Sequence, residues 1–319
     1  MIVQKFGGSS LADLSGLRRA ADLILTARQK GHKVVAVVSA MGDTTDELTE
    51  LAQKISPRPP LRELDALLST GEIQSAALLA IMLQSLGAPA RSFSGPQAGI
   101  HSSASFSDAD ISCIKTQSLE DALNQGYIAV VAGFQGLAPD GSIATLGRGG
   151  SDTSAVSLAA ALGAERCEIY KDVDGIYTAD PRLAKDARLL GKIDFKDMHT
   201  LSLCGSQVLH CRSVSRAMEA GLPMIVLNSF RKSAGTAVCS LPDDDRPDYA
   251  GITRNASLHS LSLVGKAVSE ETEERLCRLL EEAGIQVLSS AVREGVITLL
   301  LPAGKLEPAL QLAHTEFLT

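Results

Sequence analysis

Three polar, glycine-rich stretches carry residue types suited to moving a charged group. In Lys5-Phe6-Gly7-Gly8-Ser9-Ser10 a lysine is followed within three positions by two glycines. Glycines let backbone N–H groups approach a phosphate closely, and the lysine supplies a fixed positive charge beside a transferring group. Alone, the same residues more often make a plain turn. In Thr145-Leu146-Gly147-Arg148-Gly149-Gly150-Ser151-Asp152-Thr153-Ser154-Ala155 a turn with three glycines leads into an alanine-rich segment. The free amides and positive end of a helix starting there form an anion site. Arg148 can clamp a carboxylate at two points, and Asp152 can orient a lysine or a magnesium ion. Ser151 or Asp152 is also expected to cap that helix, which leaves three glycines and an arginine unexplained. The third stretch, Tyr170-Lys171-Asp172-Val173-Asp174-Gly175-Ile176-Tyr177-Thr178-Ala179-Asp180-Pro181-Arg182, follows an apolar run with a turn-rich segment. Such a loop can cover a purine with tyrosine, accept from an amino group or ribose at aspartate, and meet phosphate at arginine, or it is an ordered turn and no more. No GxxxxGK[ST] sequence occurs.

These stretches need a scaffold that brings strand ends together, and the pattern of residues 1 to about 230 supplies one. Short β-branched runs alternate with longer amphipathic segments, which predicts a parallel sheet covered by helices. Strands are expected at Ile2–Phe6, Lys33–Ser39, Ile128–Phe134, Cys167–Tyr170 and Pro223–Leu227, the last of these ending the sheet. The run of valines at 34, 35, 37 and 38 marks a strand buried on both faces. Helices are expected over Ser15–Lys30, after Asp43 or Thr44 as cap, over Leu61–Leu86 with an interruption at Gly71, and over Asp152–Leu162. The stretch 241–250, charged and holding two prolines, reads as a linker. Beyond it, residues 251–319 give β-α-β-β-α: Leu258–Val264, Ser269–Ala283, Ile285–Ser290, Val296–Leu301 and Leu306–His314. That is most of a ferredoxin-like unit, its last strand absent or supplied by Glu316–Thr319.

Composition narrows the function. The 319 residues suggest two domains. A net charge of -7 without a basic block argues against a nucleic-acid partner. With 45% hydrophobic and 21% charged residues the chain can fold, and its 3% aromatics imply an aliphatic core. Apolar runs such as Ile128–Phe134 and Ala155–Leu162 fall far short of the roughly 20 residues that cross a bilayer, so no membrane association is expected. The amino terminus reads as a strand rather than a leader peptide, so a cytoplasmic location is expected. Six scattered cysteines, with no CxxC pair and no zinc-finger spacing, are expected as buried free thiols without metal.

Together with Val38-Ser39-Ala40-Met41-Gly42-Asp43-Thr44-Thr45-Asp46-Glu47-Leu48, Ser69-Thr70-Gly71-Glu72 and Gly133-Phe134-Gln135-Gly136, the three stretches closely resemble the aspartate kinases of the amino-acid kinase family. The resemblance covers residues 1 to about 235. It implies a three-layer αβα catalytic domain over 1–240 with a mainly parallel sheet, and a small ACT-like regulatory domain over 251–319. It also implies ATP with Mg2+ and phosphorylation of L-aspartate to 4-phospho-L-aspartate, the first step towards lysine, threonine and methionine. Carried over by position, Lys5, Gly7, Gly8 and Ser9 surround the transferring phosphate, and Asp152 organises the catalytic groups. Ser39, Thr45, Glu72, Arg148 and Ser151 fall where aspartate is held, with Glu72 facing its ammonium and Arg148 a carboxylate. Lys171, Asp172, Tyr177, Arg182 and Gln207 fall where the nucleotide is bound. Because a carboxylate is already a nucleophile, positioning and charge neutralisation suffice, and no general base is required.

Two departures qualify the resemblance. Where the family reads Gly-Ala-Lys-Val-Leu-His-Pro, this chain has Gly205-Ser206-Gln207-Val208-Leu209-His210-Cys211. Loss of that lysine removes one electrostatic contact, of the order of 3–4 kcal/mol, for which Lys171 and Arg212 are alternative sources. The tail resembles one ACT-like domain, incomplete, where the family commonly has two. An exposed sheet edge there predicts a homodimer through the C-terminal domain. Two other readings stay open: a kinase of a different carboxylate in a specialised pathway, and a non-catalytic regulatory subunit.

Overall fold

The computed structural model describes residues 1–319. Packing divides the chain into two units, 1–173 with 219–233 and 174–218 with 234–319, rather than at the stretch 241–250. The first unit opens with β1 (Ile2–Phe6), α1 (Leu14–Gln29), β2 (Val34–Val38), α2 (Thr44–Ile55) and α3 (Leu61–Ser85). It continues with β3 (Ala90–Phe93), β4 (Ile100–Ser102), β5 (Ile111–Ile114), α4 (Gln117–Asn124), β6 (Ile128–Ala132), β7 (Gln135–Leu137), β8 (Ile143–Thr145), α5 (Gly150–Ala161) and β9 (Cys167–Lys171). The second unit then takes β10 (Lys192–Asp194), α6 (Phe195–Leu203) and α7 (Cys211–Ala220), of which the last two residues count with the first unit. The chain returns to the first unit as β11 (Met224–Asn228). It ends in the second with β12 (Thr236–Cys239), β13 (Gly251–Asn255), β14 (Ser260–Val264), α8 (Glu270–Glu282), β15 (Ser289–Arg293), β16 (Val296–Leu300) and α9 (Leu306–Leu318).

In the first unit β11-β9-β1-β2-β6-β3 form one sheet in which every pairing is parallel. Alternation along each strand sorts side chains to two faces. Ile2 and Phe6 of β1, Val34, Ala36 and Val38 of β2, and Tyr170 of β9 pack with α1 and α3. Lys5 and Lys171, of opposite parity, face α5. A smaller sheet, β5-β4-β7-β8, branches from this unit. Its strands of three or four residues are too short to carry a periodic signal that could be read in the sequence.

Helix α3 runs unbroken through Gly71, contrary to the expected interruption. A Cβ at Gly71 would lie 2.9 Å from the Ala40 Cβ, so this glycine serves close approach to the turn after β2. At 25 residues α3 is long and apolar enough to cross a membrane, which the expected break had hidden. Half of its most apolar stretch is buried, and that buried face carries Asp65 and Glu72, the signature of a core helix.

In the second unit β10 and β12 pair in parallel, and β12 follows the strand expected to be last. A separate antiparallel sheet has the order β13-β14-β16-β15. This is the ferredoxin-like layout with its fourth strand present: β13, which precedes the first expected strand, takes the edge position. Residues 316–318 extend α9 and form no strand. The strand expected at Ile285–Ser290 instead lies at Ser289–Arg293. The thiols also differ from expectation: all six are free, but only Cys167 is buried, and Cys113 is exposed.

Candidate active site

The carboxyl ends of β1, β2, β6 and β9 lie side by side, and the stretches beginning at Lys5 and Tyr170 start there, as ligand sites do in open parallel sheets, while the stretch 145–155 follows β8. Glycines make this edge tight. A Cβ on Gly8 would lie 2.9 Å from the Ala40 carbonyl oxygen, and one on Gly133 would lie 2.9 Å from the Ser151 Cβ. The Gly7 N–H donates to the Tyr170 oxygen at 3.3 Å and the Gly42 N–H to the Gly8 oxygen at 3.1 Å, tying three turns together. Ser9 is exposed beside them.

Because Lys5 and Lys171 share a parity, both reach the first turn of α5. Lys5 Nζ lies 2.6 Å from Asp152 Oδ1 and Lys171 Nζ 3.0 Å from Asp152 Oδ2. Burial pushes the Asp152 carboxyl up, but Lys5 and then Lys171 outweigh it and hold it well below the usual carboxylate range. Burial likewise lowers the Lys5 ammonium, against the opposing pull of Asp152. Two cations against one anion leave a formal positive charge at the sheet edge, suited to phosphate. The start of α5 is uncapped by any side chain: Gly149, with φ of +70°, is the N-cap. Ser151 and Asp152 therefore lie inside the first turn and do not cap the helix as expected. Asp152 is free to bind the lysines because glycine makes the turn.

Glu72 projects from α3 towards the turn after β2, where the Ala40 N–H donates to its Oε1 at 3.1 Å. It is only 3% exposed, and Oε2 has no hydrogen-bond partner. Burial raises its carboxyl to about 7, opposed by the Ala40 hydrogen bond and more weakly by Lys5. A buried acceptor with one oxygen unmet fits an ammonium. Ser39 opens the turn after β2, its N–H donating to the Phe6 oxygen at 3.1 Å, and Thr45 stands half-buried in the first turn of α2. Arg148 is exposed, with no ion pair, on the turn between Gly147 and Gly149.

Lys5, Gly7, Gly8, Ser9, Ser39, Thr45, Glu72, Arg148, Ser151, Asp152, Lys171 and the exposed Asp172 all belong to the first unit. Tyr177, Arg182 and Gln207 belong to the second. There the Tyr177 hydroxyl donates to Asp174 Oδ2 at 3.3 Å, Arg182 Nη2 meets Asp180 Oδ2 at 2.7 Å, and Gln207 is exposed between α6 and α7. Sequence reasoning missed Asp65, fully buried in α3. The available signal was a carboxylate seven residues before Glu72, on the same helical face as Leu68 and Ser69.

No group of three or more His, Cys, Asp or Glu side chains is arranged to hold a metal. Asp152 stands in the first turn of α5, and both its oxygens already meet ammonium groups. The donor set therefore fits magnesium carried on nucleotide phosphates and not in a protein cage.

The model of the amino acid kinase family matches residues 1–228. Aspartokinase of Mycobacterium tuberculosis is 46% identical over 270 residues, 83% of this chain and 64% of that protein. The chain thus spans just under two thirds of the length of this curated relative. Aspartokinase of Thermus thermophilus is 42% identical over 90% of this chain and 71% of its own length. Among solved structures, the aspartate kinase of Synechocystis superposes with a TM-score of 0.69 at 30% identity, covering 99% of this chain and 69% of that one.

Proposed function

From the premise that the chain belongs to the amino acid kinase family, we propose that it is an aspartate kinase, transferring the terminal phosphoryl group of ATP to the side-chain carboxylate of L-aspartate. The observation that carries this reading is Asp152 gripping Lys5 and Lys171 at the glycine-lined sheet edge, with the unmet oxygen of Glu72 on the neighbouring helix.

In this reading the side-chain carboxylate of aspartate attacks the terminal phosphorus, the bond to the bridging oxygen breaks, and ADP leaves. No proton has to be removed, so this chain's residues act by position and charge. Lys5 neutralises charge developing on the transferring group, and Asp152 fixes the ammonium groups of Lys5 and Lys171. The Gly7 and Gly8 turn lets the backbone approach the phosphates, with Ser9 beside it. Glu72 receives the substrate ammonium, Arg148 clamps a carboxylate, and Ser39, Thr45 and Ser151 complete the pocket for aspartate. Lys171, Asp172, Tyr177, Arg182 and Gln207 serve the nucleotide, and Mg2+ arrives with it. The enzyme would work in the cytoplasm at the entry to lysine, threonine and methionine synthesis.

The 251–319 segment is read as a single ACT-like regulatory domain. Strand β15 pairs with β16 alone and exposes Ser289, Ser290 and Ala291, an edge that a second copy would cover to give a homodimer. The deciding experiment is coupled ADP release with L-aspartate, glutamate and N-acetylglutamate as acceptors. Strong preference for aspartate is expected; preference for another acid would overturn the substrate.

A further inference from the structure

Asp65 lies on α3 and is wholly buried, with no lysine or arginine paired to it. Its two oxygens take four donors in a regular pattern. Oδ2 accepts the backbone N–H groups of Ser107 at 2.8 Å and Thr145 at 2.7 Å. Oδ1 accepts the hydroxyls of the same two residues, at 3.0 and 2.9 Å. Each oxygen thus joins the 103–109 loop to the end of β8. An acceptor-only group with two lone-pair sites per oxygen is filled by this arrangement.

Both residues it holds lead to Arg148. Thr145 ends β8 three positions before Arg148, and its carbonyl oxygen accepts from the Ala109 N–H at 2.9 Å. Ser107 has a φ of +67°, a left-handed conformation that a serine adopts only when its surroundings enforce it. That conformation places the loop directly behind Gly147, whose missing Cβ would lie 2.8 Å from Asp108 Oδ1 and 3.0 Å from the Ser107 oxygen. The turn bearing Arg148 therefore has a back wall, and the wall and the strand entering the turn are fastened to the same carboxylate. Arg148 itself makes no ion pair that could hold it.

We propose that Asp65 is a positioning residue for aspartate binding, clamping the 103–109 loop to β8 so that Arg148 is presented to the substrate carboxylate. The proposal rests on the reading of Arg148 given above. A misplacement of about 1 Å at a substrate-orienting group can lower rates by about 10²-fold, so the clamp matters beyond its stabilising effect.

The test is steady-state kinetics of the full chain, varying aspartate and MgATP separately. Asp65→Ala removes the clamp and is expected to raise the aspartate KM about 10- to 100-fold while the ATP KM stays within about twofold. Asp65→Asn can keep its oxygen on the two amides and donate to the two hydroxyls, and is expected to recover most of the loss. Should Asp65→Ala fail to fold, Thr145→Val and Ser107→Gly each remove one hydroxyl contact, and each is expected to raise the aspartate KM severalfold. Folded variants with an unchanged aspartate KM, equal changes in both KM values, or no recovery in Asp65→Asn would overturn the proposal. Arg148→Ala separates it from the reading beneath it. An unchanged aspartate KM there refutes the role of Arg148 and the proposal with it. A raised KM there with normal Asp65 variants refutes the role of Asp65 alone.

Discussion

Glu72 lends itself to a quantitative prediction because its burial and its proposed role pull in opposite directions. In the ligand-free protein its carboxyl sits at about 7 against an ordinary 4.5, chiefly through burial. Between those values the folded state keeps a proton that the unfolded state has lost, so stability falls as pH rises through this window. Above pH 7 the full penalty stands. At about 1.4 kcal/mol per pH unit, the gap corresponds to about 3 kcal/mol. Glu72→Gln removes the ionisation while keeping an acceptor for the Ala40 N–H. Urea unfolding without ligand should find the variant about as stable as the parent at pH 5 and more stable by up to about 3 kcal/mol at pH 8. Calorimetric titration should find aspartate binding to the parent weakening roughly tenfold per pH unit below 7, because an ammonium needs the ionised carboxylate. The glutamine variant should bind at least about 100-fold more weakly at pH 8. Stability differences that are the same at both pH values would refute the burial argument. Unchanged aspartate binding in the variant would refute the ammonium contact.

Three further outcomes follow from the charges at the sheet edge. Lys5→Ala should lower turnover about 10²-fold or more with a small change in the aspartate KM, and near-normal turnover would remove Lys5 from the transfer step. Asp152→Asn leaves two ammonium groups against no anion and should cost about 3 kcal/mol in urea unfolding as well as activity; parental stability would mean the pairs are not formed in solution. Gln207→Lys should raise kcat/KM about 10-fold, equivalent to about 1.4 kcal/mol. An unchanged rate there with a large loss in Lys171→Ala would mean that Lys171 already supplies the charge.

The parallel sheet was legible chiefly because β2 and β6 are buried on both faces and written as unbroken apolar runs, with β1 and β9 as short strands that mix apolar and polar residues. The first-unit candidates were legible because glycines, lysine, arginine and aspartate cluster at strand ends. Three features escaped for physical reasons. Gly71 has the same identity whether it breaks a helix or lets two backbones touch, and only the neighbouring Ala40 distinguishes the cases. Strand β13 was hidden because Arg254 and Asn255 lie half-buried at a sheet edge and dilute the apolar pattern. Asp65 looked like one more polar residue on a helix, since its four partners come from positions 42 and 80 residues away.

The core of the second unit bears on how this protein can be cut and recombined. Ala179 and Ala184, from the stretch following β9, pack in the same apolar cluster as Leu261, Leu276, Ile297 and Leu310. The Ile252 N–H donates to the Thr178 oxygen at 2.8 Å, and the Thr178 hydroxyl bonds His314 Nε2 at 2.8 Å. Arg246, within the stretch that reads as a linker, is held by Asp197 at 2.7 Å and by Asp243 at 3.3 Å. The carboxy-terminal quarter is thus no detachable appendage. A stop codon near 240 would strip the 174–188 segment of its apolar support, and grafting a foreign tail at that point would join two unfinished cores. Viable gene fusions should instead carry 174–218 together with everything after 234.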